Sequence, residues 1–364
     1  MLPYWLLYFA LAFGALIYSP RANPAGEGHA PIRPKLSESP MLLAVALIII
    51  LMIGLRFEVG ADWRAYLLNY KPLANLPFDD AIRISPQEYG YTALSWMIAQ
   101  AGFGIWLVNL VCAIPFVVGL VALARQQQNP YLALTVAAPL LIITVAMGFT
   151  RQATGLGFLL IGLTSLLNGK PYWHLLVWTV IGSLFHLSVL IFIPIVALLI
   201  FRGRLGSVLL LILTGAIGYF VVLPEALQRY SSGYLRTTYE APGAIFRLGI
   251  NALAALIVLL LARRFFSSRI EARIWTGWAA LALLSLVILY FVRSTVVVDR
   301  LAVYILPLQV FAFARLPQAL GGHRASKPWT ILVIFLYALV LFTWLTFANH
   351  ARLWIPYRVY PFFP

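Results

Sequence analysis

About eleven or twelve apolar or mostly apolar stretches follow one another along this chain, and the side chains most costly to place near hydrocarbon stand at their borders rather than in one soluble block. Roughly 20 consecutive apolar residues span the hydrocarbon core of a bilayer. On that rule the sequence predicts helices at about 2–18, 41–55, 103–124, 131–148, 152–167, 172–185, 187–201, 205–222, 246–262, 274–292, 300–314 and 329–347, with 172–201 readable also as one broken helix. The predicted class is all-α: a polytopic transmembrane helix bundle, residues 1–364 forming a single integral membrane domain. Composition agrees, because 62% hydrophobic and 10% charged residues, with a mean hydropathy of +0.91, lie outside the soluble range.

A formal charge of +15 would point to nucleic acid in a soluble protein. Here many basic residues fall in short loops between apolar runs, where they orient helices and meet anionic lipid. No basic stripe interleaved with stacking aromatics is present, so nucleic acid is not an expected partner. Cys112 is the single cysteine, so no intrachain disulfide can form. The first apolar stretch lacks a basic leader and a small-residue cleavage site, and reads as a retained helix.

Sorting loops alternately gives Lys/Arg counts of 14 against 12, a near-even division. The cluster Arg263, Arg264, Arg269 and Arg273 and the pair Arg202 and Arg204 decide it, being short-loop charges of the kind retained in the cytoplasm. Both chain ends then face outward. The Pro/Gly-rich segment 19–40 becomes a flexible cytoplasmic loop, and 56–102, 223–245 and the tail 348–364 become outer segments. Within the first outer loop, Asp62 to Tyr70 starts a helix capped by Asp62, and Gln87 to Gln100 suits an interfacial or re-entrant helix.

On this topology Arg56, Asp62, Glu88, Arg151, His186, Arg229, Arg293, Asp299, Arg300, Arg352 and Arg358 all fall on the outer side. Ionisable groups at such places are functional candidates by default. Arg151 lies between Gly148 and Gly155, which allow close backbone approach, and reads either as an interfacial arginine or as a guanidinium fork for phosphate. Arg56 and Arg300 carry the same two readings. His186 is either a packed, hydrogen-bonded histidine or a proton carrier. Asp299 beside Arg300 is either a salt bridge or a base. Trp63, Tyr66, Tyr89 and Tyr91 near Asp62 and Glu88 suit sugar, since ring faces cover C–H patches while polar groups hold hydroxyls; the competing reading is an interfacial aromatic belt. The five histidines show no metal-ligand spacing. There is no phosphate-binding GxxxxGK[ST] loop, no GxSxG elbow and no His-Glu-x-x-His.

These residues together resemble the EpsG family of bacterial exopolysaccharide polymerases, relatives of the Wzy-type polymerases. The resemblance rests on Arg56-x-x-x-Gly60-x-Asp62-Trp63-x-x-Tyr66, Glu88-x-Gly90-Tyr91, Arg151-Gln152, Asn168-Gly169-Lys170 and Phe185-His186-x-Ser188. It continues through Arg229-Tyr230, Asp299-Arg300-x-x-x-Tyr304 and Trp354-Ile-Pro-Tyr357. Trp63 stands where the family often has tyrosine. The resemblance implies a GT-C-like, metal-independent glycosyltransferase of the bacterial cytoplasmic (inner) membrane. It would join polyprenyl-pyrophosphate-linked oligosaccharide repeat units at the outer face. Implied catalytic candidates are Asp62, Glu88, His186 and Asp299, and implied pyrophosphate ligands are Arg56, Arg151, Arg229 and Arg300. For sugar they are Trp63, Tyr66, Tyr91, Gln152 and Tyr304. No cofactor is expected beyond the lipid-linked substrate. The implied partners are membrane lipid, lipid-linked oligosaccharide, and a chain-length regulator or export proteins. A flippase for the lipid-linked saccharide and a surface-glycan ligase or acyltransferase are the alternatives. If the polymerase reading holds, Arg56, Asp62, Glu88, Arg151, His186 and Arg300 should border one outward cavity.

Overall fold

The computed structural model describes residues 1–18, 39–193, 195–196, 212, 216, 243–291, 295–322 and 325–362. Among these the chain is helical, with one isolated antiparallel bridge, Arg56 to Val359. They divide into two compact units, Met1–Leu187 with Ile331–Pro364, and Ser188–Thr330. All of the expected span 205–222 except Ile212 and Ala216, nearly all of the loop 223–245 with Arg229, Arg293, and the loop 19–40 up to residue 38 lie outside the described residues.

The first unit holds α1 (Leu2–Ile17), α2 (Pro40–Gly54), α3 (Trp63–Tyr70), α4 (Phe78–Ile84), α5 (Tyr89–Gln100), α6 (Ile105–Ala124), α7 (Pro130–Ala137), α8 (Thr150–Leu167) and α9 (Tyr172–Ser183). Proline in the first turn starts α1, α2 and α7, where a missing N–H costs nothing. Asn129 caps α7 by accepting from Leu132 N at 3.0 Å and donates to Ala15 O at 2.8 Å, tying α7 to the end of α1. At that same end Gln126 Nε2 donates to Asn168 Oδ1 at 3.0 Å. The opposite end gathers the loops after α2, before α5, before α8 and after α9.

The tail completes the second of these ends. Phe57 N donates to Arg358 O at 3.0 Å, Gly60 N to Leu353 O at 2.9 Å, and Tyr360 N to Leu55 O at 2.8 Å. Gly60 sits at φ +113°, where a Cβ would fall 2.1 Å from Met147 O, so only glycine fits. Asp62 occupies the N-cap position of α3 but makes no side-chain cap bond there. At 12 residues α5 is about 18 Å long, too short to cross a bilayer unaided. Its Trp96 and Gln100 bond Leu76 O and Leu73 O at 2.8 and 3.0 Å, holding a 3-10 turn (Lys71–Asn75) that the sequence reading passed over along with α4.

The second unit holds α10 (Ala244–Leu260), α11 (Arg269–Phe291), α12 (Thr295–Ala302) and α13 (Pro307–Gly321), followed by the start of α14 (Ser326–Phe347). The expected span 300–314 is broken, with Val298–Ile305 and Pro307–Gly321 bent by 40°. Pro307 has no N–H and disfavours helix before it. Asn251 Nδ2 reaches Ala302 O at 3.5 Å beside the break, and Gln309 Nε2 donates to Asn251 Oδ1 at 2.6 Å. Arg315 is held by Glu271 Oε1 at 2.7 Å and Phe265 O at 2.6 Å.

Among the described residues three helices are long and apolar enough to cross a bilayer unaided, Ile105–Ala124, Arg269–Phe291 and Ser326–Phe347, with the bent pair as a fourth. The sequence predicts eleven or twelve spans; four further apolar helices, Leu2–Ile17, Pro40–Gly54, Pro130–Ala146 and Ala244–Leu260, are shorter than a full crossing. Close packing binds the pieces: a Cβ on Gly157 of α8 would lie 2.4 Å from Phe116 Cα of α6. Gly157→Leu is expected to destabilise the purified protein by on the order of 3 kcal/mol, read as a lower thermal midpoint in detergent. Gly249→Ala, where nothing lies within 4 Å, should leave the midpoint unchanged or raised.

Candidate functional site

Three chain breaks build the charged end of the first unit. After α7 the chain continues as a π-helical stretch, Ala138–Ala146, in which Thr144 Oγ1 donates to Pro139 O at 2.8 Å. Trp354 of the tail donates from Nε1 to Ile143 O at 2.9 Å and covers Gly148, where a Cβ would lie 2.7 Å from the indole. The chain restarts as α8 at Thr150, which puts Arg151 in its first turn. The second break follows α9, where His186 lies between Ser183 and the 3-10 turn Leu187–Ile191. The third precedes α5, whose N-cap is Glu88. Gly90 N and Tyr91 N both donate to Leu184 O, at 2.9 and 3.2 Å, so α5 docks on the end of α9 and delivers Glu88 to His186.

Glu88 is the centre of the charged cluster. Its Oε2 accepts a charge-assisted hydrogen bond from Arg151, and its Oε1 lies 2.9 Å from His186 Nδ1 and 3.4 Å from Leu187 N. The Arg151 guanidinium carbon also stands 5.9 Å from the centre of the Tyr66 ring, and Tyr66 packs on Tyr91 at 5.6 Å. The Glu88 and His186 side chains are 5% and 7% exposed, whereas Arg151 is 19% exposed and forms the open edge. A glycine crossing sets the spacing. A Cβ on Gly155, one turn after Arg151, would lie 3.3 Å from Gly182 O, one turn before His186.

Burial would raise the pKa of Glu88, but the His186 hydrogen bond and the Arg151 charge outweigh it and hold the carboxyl at about 2. Burial, with the nearby Asp62 charge, pushes the Tyr66 hydroxyl up to about 12 against the opposing effect of Arg151. Glu88 is thus an ionised anchor with both oxygens engaged, a poor proton acceptor at neutral pH.

Arg56 lies behind this cluster at 1% exposure. It donates to Ile53 O at 2.5 Å, Val59 O at 3.1 Å, Asn109 Oδ1 at 3.2 Å and Thr150 Oγ1 at 2.6 Å, joining α2, α6 and α8. Its carbon stands 5.8 Å from the Trp63 ring centre. Trp63 Nε1, Ser95 Oγ, Asn109 Nδ2 and Arg151 Nε are buried without a hydrogen-bond partner among the described residues. This interior is therefore rich in unspent donors.

Of the residues singled out from sequence, Glu88, Arg151 and His186 are in direct contact, with Tyr66 against Arg151 and Arg56 beside Thr150. Trp63, Tyr66 and Tyr91 are interior, packed with Val108 and Cys112, so their ring faces are not open to a sugar. Tyr89 of the same motif is 71% exposed. Gln152 is buried in α8. In the second unit, Asp299 is held by both ends of Arg247, at 2.8 and 2.5 Å, and Tyr304 shares a 3.0 Å hydrogen bond with Ser188. Arg300 follows in α12. Asn109, Thr150 and Arg247 were missed. Each is a polar residue in or at the start of an apolar helix, and that isolation was the available signal. Among the described residues no group of three or more His, Cys, Asp or Glu could hold a metal ion.

The EpsG family model matches residues 41–359. No curated protein and no solved structure matches the chain.

A carboxyl whose folded pKa lies below its unfolded value stabilises the fold above the unfolded pKa, about 4.3 for glutamate. That stability is lost as pH falls toward the folded value, about 2. Glu88→Gln is expected to cost about 3 kcal/mol near neutral pH by leaving Arg151 without its anion. Thermal midpoints of wild type and variant, measured in steps through the acid range, should converge only towards the acid end.

Proposed function

The chain belongs to the EpsG family, and on that premise we propose that it is a membrane-embedded exopolysaccharide polymerase. It joins polyprenyl-pyrophosphate-linked oligosaccharide repeat units by glycosyl transfer at the outer face of the cytoplasmic membrane. The observation that carries this reading is the Arg151–Glu88–His186 cluster. A pyrophosphate leaving group needs fixed positive charge where negative charge develops, and an acceptor hydroxyl needs a positioned base.

The geometry supports one division of labour. Arg151, the partly exposed member, holds the pyrophosphate. Glu88 stays ionised and orients both neighbours, as a carboxylate does when it fixes an imidazole tautomer. With Nδ1 engaged on Glu88, His186 offers Nε2 to the acceptor hydroxyl. The acceptor oxygen bonds to the anomeric carbon, the bond from that carbon to the pyrophosphate oxygen breaks with its electron pair on the leaving group, and the hydroxyl proton passes to Nε2. The resulting imidazolium is stabilised by Glu88. Asp62 acts on the site through its charge near Tyr66.

The test is purified protein in liposomes with polyprenyl-pyrophosphate repeat units, without nucleotide sugar or ATP. A ladder of chain lengths is expected. Relocation of the saccharide without elongation would identify a flippase, and transfer to another acceptor a ligase. Arg151→Ala should abolish the ladder, and His186→Ala should slow it by about 10²- to 10⁴-fold. A normal length distribution from Arg151→Ala would overturn the assignment of Arg151.

A further inference from the structure

Arg56 is enclosed by the protein, yet every group it bonds is neutral. Its four acceptors are two backbone carbonyls, the Asn109 amide and the Thr150 hydroxyl, and among the described residues no carboxylate stands within ion-pair distance of it. The other near-buried arginines behave differently. Arg151 has Glu88, Arg247 has Asp299 and Arg315 has Glu271. A guanidinium does not shed its proton on burial, and a buried charge without a counter-ion is costly. An acid in place of Asn109 or Thr150 would remove that cost with little change of shape. The protein instead keeps a bare positive charge one residue behind Arg151, in contact with the first residue of α8.

We propose that Arg56 is a positioning residue whose unneutralised charge is balanced by the anionic pyrophosphate of the substrate rather than by the protein. The inference rests on the polymerase reading and deepens it. Arg151 touches the pyrophosphate; Arg56 does not, and acts through the field it adds and through Thr150, which it anchors. The fork also explains why arginine is used: Nη1 reaches α2, Nη2 reaches both α6 and α8, and Nε holds Val59 O, all at once. The donor-rich surroundings, including the unpartnered Asn109 Nδ2 and Arg151 Nε, favour an acceptor-only ligand.

Asn109→Asp tests this without removing the arginine. It sets a carboxylate against the Arg56 guanidinium and neutralises it from within. Full-length wild type and variant are compared for thermal midpoint and for affinity toward inorganic pyrophosphate. The expected result is a midpoint equal to or above wild type with pyrophosphate bound about tenfold more weakly, the effect of one unit charge at about 10 Å in an effective dielectric of about 20. Unchanged or tighter pyrophosphate binding would overturn the proposal and leave Arg56 a role in folding alone. If Asn109→Asp does not fold, Arg56→Lys and Arg56→Gln give the same answer: Lys should hold affinity within about threefold and Gln should lose about tenfold. Equal affinities in those two would also overturn it. Wild type that elongates saccharide in liposomes but binds no pyrophosphate sinks this inference and spares the polymerase reading; failure of both assays sinks both.

Discussion

The Glu88 carboxylate is shared between the Arg151 guanidinium and the His186 imidazole, and a buried anion in so apolar a chain persists only with partners of this kind. Much else in the first unit serves that contact. The partners come from α5, α8 and the break after α9, so none is adjacent in sequence. Each must be delivered by packing, and small residues do it. Gly90 lets α5 close on Leu184, and the Gly155–Gly182 crossing brings α8 against α9. A larger side chain at any of these positions would push the facing backbone aside and shift the charges it delivers.

Behind the contact, the tail acts as a strap. Trp354 closes over Gly148 and takes a π-helical carbonyl, Tyr357 donates to Met52 O at 2.7 Å, and Tyr4 donates to Trp354 O at 2.6 Å. The tail thus spends these polar atoms on the protein. It fixes the restart of the chain at α8, and with it Arg151. Arg56 fixes the same restart from the other side through Thr150. Two independent anchors on one helix start hold the Arg151 guanidinium in a defined place.

The sequence disclosed which residues are costly, since an arginine beside an apolar run is visible without any structure. It also disclosed that Gly148 and Gly155 permit close approach, and most helix boundaries to within a few residues. The pairing was not legible, because Glu88 and Arg151 lie 63 positions apart and Glu88 and His186 lie 98 apart, and composition carries no distance. Nor could the letters tell which way an aromatic faces: Trp63, Tyr66 and Tyr91 turn inward while Tyr89 turns outward. Apolar runs look alike whether α-helical, π-helical or bent at a proline, which is why 131–148 and 300–314 read as plain spans. The motif Glu88-x-Gly90-Tyr91 docks on Leu184 and His186, a contact that neither stretch discloses by itself.

The central claim is that Arg151, steadied by Glu88, is where the lipid pyrophosphate binds. Electron cryomicroscopy of the protein in nanodiscs with a polyprenyl pyrophosphate tests it most directly. The account predicts phosphate density against the exposed edge of Arg151, with the Glu88–His186 hydrogen bond intact and no contact to Arg56. Phosphate density away from Arg151, or a Glu88 released from both partners in the bound state, would contradict it.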